Sequence, residues 1–172
     1  QEPRLVVHYA SLDQDTSVFK VKDAYLNSDA DFHTTVSKMA DIPREQAKTI
    51  NLGLFYGMGK AKLQAELGVS KDKAEELFAI YHQRVPFVKT LMKSVSNRAQ
   101  QRGQIRTLLG RLCRFHLWEP NRFGINKALP FEQAVQEHGQ GNIRRAYTYK
   151  ALNKLIQGSA ADMTKKSMLD LY

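Results

Sequence analysis

Helix breakers set the first limit on what this chain can form. Pro43, Gly57, Gly59, Gly68, Pro86 and Gly110 interrupt its apolar-periodic stretches, so the periodicity is divided among helices of modest length. ADIPREQAK carries a start signal, with Asp41 as N-cap, Pro43 in the first turn and Glu45 beside it. That helix is expected to run to about Tyr56, where Gly57 and Gly59 end it. AKLQAELG reads as a short helix stopped at Gly68. Ser70 opens the stretch from residue 70 to 103, either one helical hairpin or a bent helix, interrupted at Pro86. Around Gly110, QIRTLLGRLCRFHLWEPNRFG has alternating and aromatic content that predicts a short hairpin and loop. From Phe131 to Tyr172 the pattern is helical again, with Gly158 as a bend. Nearer the N-terminus, LVVHYA is a strand end or a helix start, and Ser28 or Asp31 caps a helix through HTTVSKMA. The expected class is mainly α with small β elements (α+β).

Composition narrows the partners. A chain of 172 residues with 42% hydrophobic content can build a core. Its 26 Lys and Arg against 17 Asp and Glu leave a charge of +9, which points to a polyanion: nucleic acid, nucleotides or an anionic membrane surface. The alternative is a soluble protein that is simply basic. Cys113 is the one cysteine, so there is no intrachain disulfide and no thiolate metal cluster, which fits a reducing cytoplasm. No apolar run approaches the roughly 18 residues of a spanning helix, and QEPRLVVHYA lacks the order of a signal peptide. The chain starts without Met and ends on LDLY inside a helical pattern, so a fragment is expected.

The segment REQAKTINLGLFYGMGK, Arg44 to Lys60, is the most specific. Residues four apart on a helix lie about 6 Å apart along its axis, each step turning by roughly 40°. Arg44, Lys48, Leu52 and Tyr56 therefore form a slowly turning stripe about 18 Å long, cationic at its N-terminal end and aromatic at its C-terminal end. A nucleoside triphosphate has that layout, with a polyphosphate tail, then sugar, then base. Both cations sit where the helix dipole and unpaired N–H groups already favour anions. A guanidinium can grip phosphate with two prongs, whereas an ammonium is a mobile point charge and a proton donor. The competing reading is a solvated pair of cations above core residues.

REQAKTINLGLFYG resembles motif B of the family A DNA polymerases, the bacterial DNA polymerase I group, with Arg44, Lys48, Gly53, Tyr56 and Gly57 in place and Ala47, Asn51 and Leu54 matching in detail. Other segments resemble the family in the same order, over nearly the whole chain. QEPRLVVHYA is similar to the tail of motif A, which implies that Glu2 is the steric gate against a ribose 2′-OH and Arg4 a structural arginine. DFHT resembles the segment that supplies a phosphate-contacting histidine, here His33. The stretch from Tyr81 to Arg111 resembles the long fingers helices and the hairpin after them, with Thr107, Gly110 and Arg111 at its turn. ALNKLIQGSAADMTKKSM resembles the helix that touches the template–primer minor groove, placing Asn153 and Gln157 there and Tyr149 one turn earlier.

The resemblance implies a DNA-directed DNA polymerase of right-hand form, with fingers and partial palm in this segment: residues 1–30 as the tail of the palm motif, 31–130 as fingers and 131–172 as the return to the palm. It implies that Lys48, Arg44 and Tyr56 serve catalysis, that Glu2, His33, Arg44, Lys48, Leu52 and Tyr56 bind the incoming nucleotide, and that Arg111, Arg145, Tyr149, Asn153 and Gln157 contact DNA. Template–primer DNA, deoxynucleoside triphosphates and the rest of the polymerase, palm and thumb, are the implied partners, in a bacterial or phage-infected cytoplasm. Two Mg²⁺ ions are implied as cofactors, held by carboxylates expected before Gln1 and after Tyr172, so this segment by itself is expected to be inactive.

Three departures stand out. Leu52 replaces the usual Phe or Tyr, at a position tied to discrimination against 3′-deoxy nucleotides. The stretch from His33 to Arg44 is short, and Tyr149 replaces an arginine. Leu52 suggests a phage-like enzyme of altered sugar selectivity. A single-subunit RNA polymerase shares the spacing of motif B, but Glu2 and the QGSAAD helix favour DNA synthesis. A non-catalytic nucleic-acid-binding module would explain the charge without explaining the phosphate-ready helix.

Overall fold

The computed structural model describes residues 1–13, 15–27, 31–55, 60–122, 124 and 126–172. Two compact units make up the chain, Gln1–Lys93 and Ser94–Tyr172. Tyr56, Gly57 and Gly59, expected to close the cationic helix, lie outside the described residues, as does Ser28.

The first unit is helical. Helix α1 (Glu2–Leu12) settles the ambiguity of LVVHYA, with Leu5, Val6, Val7 and Ala10 buried. A 3-10 turn at Thr16–Val18, capped by Asp15, leads to α2 (Phe19–Asn27). Then follow α3 (Phe32–Ala40), α4 (Arg44–Phe55), α5 (Lys60–Leu67) and α6 (Lys71–Arg84). Asp31 is the N-cap of α3, its carboxylate accepting from the Thr34 amide at 3.0 Å and the Thr34 hydroxyl at 2.8 Å. Gly68 ends α5 at φ +63°, and the Ser70 hydroxyl caps α6 through the Lys73 amide, both as expected.

Asp41 corrects a sequence expectation. It is the C-cap of α3, left-handed at φ 53°, ψ 49°, with its amide returning to the Ser37 carbonyl, and not the N-cap of α4. A short polar side chain tolerates that conformation, so one residue closes α3 and turns the chain toward Pro43. The Pro43 carbonyl accepts from the Ala47 amide at 2.9 Å, which places Arg44 in the first turn of α4.

Helix α7 (Pro86–Arg102) begins at Pro86, after α6 ends at Arg84, and the chain passes from the first unit to the second within it. There β1 (Gln104–Arg106) and β2 (Leu112–Arg114) pair antiparallel as the expected hairpin, Ile105 opposite Cys113. Gly110, at φ +87°, supplies the positive φ of its turn. A second antiparallel pair joins β3 (Trp118–Pro120) to β4 (Ile143–Arg145). Strand β4 corrects the expectation of unbroken helix after Phe131: α8 (Phe131–His138) ends at Gly139, and a 3-10 turn precedes β4. After a second 3-10 turn at Thr148–Lys150, α9 (Ala151–Asp170) runs to the end. Among the described residues the architecture is mainly α with two small antiparallel sheets.

Gly158 does not bend α9, which runs continuously through it. Its role is close approach. A Cβ at Gly158 would lie 2.9 Å from the Thr107 Cγ2 and 3.1 Å from an Arg111 nitrogen, both held in place by bonds to α9. Alanine there gains about 1 kcal/mol of helix propensity but overpacks a locked contact by about 1–3 kcal/mol. Gly158→Ala is therefore expected to lower the melting temperature, as checked by thermal unfolding; a raised value would mean that the hairpin yields freely.

Candidate functional site

In the first unit, α3 and α4 pack along each other and bring three of the expected nucleotide-contacting residues into one neighbourhood. Arg44 opens α4 half-exposed. Its Nε donates to an Asp31 carboxylate oxygen at 3.0 Å and to the Thr34 hydroxyl at 3.1 Å, and an Nη group lies 2.9 Å from the same carboxylate. Burial would raise the Asp31 pKa, but the Thr34 bonds and the Arg44 charge outweigh it and hold the carboxyl below its usual range. Asp31 thus occupies the donor edge of the Arg44 guanidinium.

Lys48 is exposed one turn on, and its ammonium forms no hydrogen bond or ion pair among the described residues. Half-buried in the first turn of α3, His33 has a pKa that is lowered, first by burial and then by the charges of Arg44 and Lys48, against Asp31 and Glu45. Its Nδ1 lies 3.1 Å from the Asn51 Nδ2, and the Asn51 Oδ1 accepts from the Tyr81 hydroxyl. Asn51 and Tyr81 are both fully buried. Leu52 is half-buried on α4.

Glu2 is half-buried in the first turn of α1, and the Arg4 guanidinium stands over the Tyr25 ring, 5.5 Å from its centroid. Tyr25 stacks on Phe32. Tyr56 lies outside the described residues.

The second unit carries the expected DNA-contacting residues. Lining one face of α9 and the turn before it are Tyr149, Asn153 and Gln157, with Tyr149 and Gln157 exposed and Asn153 half-buried. Lys150 lies 5.6 Å above the Tyr149 ring, and Lys154 lies 4.7 Å above Phe115. On the opposite side Asp162 is buried. It accepts from the Thr107 hydroxyl at 2.5 Å and from the Arg111 Nε at 2.8 Å. The Thr107 bond is the main cause that lowers its pKa, with Arg111 and Lys165 adding against burial. Arg111 also donates to the Gly158 carbonyl at 2.9 Å, yet its side chain remains half-exposed beside the hairpin turn.

Arg145 is turned inward. Its Nε donates to the Gln100 carbonyl at 3.1 Å and its Nη1 to the Phe115 carbonyl at 3.0 Å, while the guanidinium covers Trp118 at 4.5 Å. Trp118 packs on Phe131 as well.

Asp31, Tyr81 and Asp162 were not singled out for any site from the sequence. Each acts through a partner 13 to 55 positions away, which no local pattern reports. Asn51 gave one signal, an amide inside the apolar run TINLGLF. Among the described residues, no group of three or more His, Cys, Asp or Glu side chains comes together to hold a metal ion, and no helix is long and apolar enough to cross a membrane.

The family model for DNA polymerase family A matches residues 2–172. A DNA-directed DNA polymerase of Pseudomonas phage M6 is 33% identical over 211 residues, an alignment that covers 98% of this chain and 28% of that protein. DNA polymerase I of Bacillus caldotenax is 31% identical over 172 residues, covering 99% of this chain and 18% of that one. Among solved structures, the POL domain of Pol1 from M. smegmatis, in complex with DNA primer-template and dNTP, aligns with a TM-score of 0.67 and 26% identity, over 95% of this chain and 26% of that chain. The chain thus spans 18 to 28% of the length of these relatives. With the match covering all but its first residue, the chain belongs to DNA polymerase family A.

Proposed function

We propose that this chain is the nucleotide- and template-contacting part of a DNA-directed DNA polymerase, which adds deoxynucleoside monophosphates to a primer 3′ end in DNA replication. The observation that carries this reading is the placement of Arg44 and Lys48 in the first turns of α4, with His33 of α3 against the next turn at Asn51 and Lys48 exposed and unpaired among the described residues. Two cations near a helix N-terminus, with a ring donor on the neighbouring helix, suit a polyphosphate better than a surface that is merely basic. Residues 1–30 and 131–172 belong to the palm and 31–130 to the fingers; the palm and thumb outside this segment complete the enzyme, which acts in a bacterial or phage-infected cytoplasm.

In the proposed mechanism the triphosphate of a deoxynucleotide docks on Arg44 and Lys48, drawing the guanidinium away from Asp31. The exchange replaces one carboxylate by a more highly charged partner. Closure of α4 over the templating pair then brings the Lys48 Nζ to the leaving pyrophosphate, which it neutralises or protonates. Glu2 and Tyr56 shape the sugar site, and Glu2 excludes a 2′-OH. Tyr149, Asn153 and Gln157 face the minor groove, where side-chain donors meet base acceptors without reading sequence. Arg111 reaches the backbone from the hairpin turn, and Arg145, turned inward, supports the DNA-contacting face through its bonds to the Gln100 and Phe115 carbonyls. Magnesium is the proposed metal, two ions that carboxylates outside this segment would hold.

Primer extension by the polymerase that carries this segment tests the reading. Lys48→Ala is expected to lower the single-turnover incorporation rate by about a hundredfold or more; a rate within a few-fold of wild type would remove Lys48 from the chemistry. Glu2→Ala should raise ribonucleotide incorporation relative to deoxynucleotide by at least about tenfold, and unchanged discrimination would remove it as the gate. Leu52→Tyr places a hydroxyl near the sugar and is expected to increase dideoxynucleotide use relative to deoxynucleotide. An identical ratio would show that the position is silent here.

A further inference from the structure

We infer that Asn51 and Tyr81 are positioning residues that hold the His33 imidazole as its Nε2–H tautomer, so that the ring meets the incoming nucleotide's polyphosphate as a neutral hydrogen-bond donor. The inference rests on the proposed nucleotide site at Arg44 and Lys48, and adds how its histidine is set.

The argument starts from a fully buried hydroxyl. Tyr81 of α6 is 0% exposed, and among the described residues its hydroxyl meets the Asn51 side chain of α4, which is also 0% exposed. The other end of that amide meets the His33 Nδ1 at 3.1 Å. An amide can stand either way round, and the two orientations have different consequences. With Oδ1 toward Tyr81, the hydroxyl proton, an amide proton and the imidazole lone pair are all paired. Reversed, Nδ2 would donate to the tyrosine oxygen, and the hydroxyl proton would have no acceptor among the described residues at full burial. Buried polar groups in folded proteins avoid that arrangement.

The paired orientation makes Nδ1 an acceptor. A neutral imidazole with an acceptor at Nδ1 carries its proton on Nε2. Protonating Nδ1 would set N–H against N–H, so the relay also resists the cationic form. Burial, Arg44 and Lys48 disfavour the cation too, while Asp31 and Glu45 favour it. Tyr25 of α2 stacks on Phe32, whose ring stands edge-on to His33, and brings no opposite charge while its own pKa is pushed up to about 12. A neutral donor gives the phosphate a directed hydrogen bond that is independent of proton uptake near neutrality. A third cation beside Arg44 and Lys48 would instead strengthen the hold on departing pyrophosphate.

The test uses the full polymerase with isotope-labelled histidine, the His33 signals being assigned by their loss in His33→Gln. Ring nitrogen chemical shifts report the tautomer, and dATP opposite template thymine reports nucleotide affinity across neutral and mildly acidic pH. Wild type is expected to show an unprotonated Nδ1. Tyr81→Phe keeps the packed ring, and should mix the tautomers and weaken dATP binding several-fold. Asn51→Asp places a carboxylate against the ring and should raise the His33 titration midpoint by about one unit or more, giving dATP affinity a dependence on pH near neutrality that wild type lacks. An Nδ1–H tautomer in wild type overturns the inference even if neither variant folds, as do variants with unchanged tautomer and midpoint. Unchanged dATP affinity in His33→Gln would overturn the phosphate contact while leaving the tautomer reading to its own spectra. Loss of Lys48 dependence in primer extension is the separate failure of the underlying site.

Discussion

A buried polar group has to be paired, and much of the first unit's geometry follows from one such group. An amide left unpaired at full burial costs about 1–3 kcal/mol. Asn51 avoids that cost only while α4 turns it toward Tyr81 of α6 and His33 of α3. Seven residues on a helix make nearly two turns, so Asn51 lies roughly 20° around the axis from Arg44. Pinning the amide therefore pins the guanidinium, and with it the exposed position of Lys48. The cationic end of α4 is aimed by a contact two turns further into the core.

The second unit applies the same constraint with a carboxylate. Asp162 is buried on α9 and satisfied by Thr107 and Arg111 of the β1–β2 hairpin. Asn153 and Gln157 lie roughly 180° and 140° around the helix from it. Anchoring Asp162 against the hairpin leaves those two amides on the other side. Gly158 allows the approach to be close, since a side chain there would meet the Thr107 methyl. In both units a buried polar contact faces inward so that an exposed polar face stands ready.

Much of this was legible from local rules. The breakers at Gly68, Pro86 and Gly110 fall where α5 ends, α7 begins and the hairpin turns, and Asp31 and Ser70 cap as such residues do. Asp41 was misread because the same residue type serves an N-cap and a left-handed C-cap, and the choice depends on the helix before it. Strand β4 escaped notice because three residues, IRR, carry no periodicity and exist only by pairing with Trp118–Pro120. The inward turn of Arg145 depends on carbonyls of Gln100 and Phe115, distant in sequence. The same is true of the Asp31 pair with Arg44, 13 residues away.

The helical class, most helix ends set by proline and glycine, the cationic stripe of α4 and the family to which the chain belongs are all readable in the amino-acid order alone. These are short-range or pattern properties, carried by backbone sterics and a fixed helical repeat. Which polar groups meet depends on how the elements pack: Asn51 with Tyr81 and His33, Asp162 with Thr107 and Arg111, and Arg145 with the Gln100 and Phe115 carbonyls. Those meetings join residues up to 55 positions apart, and the pairing of buried polar groups is settled only when the helices that carry them pack.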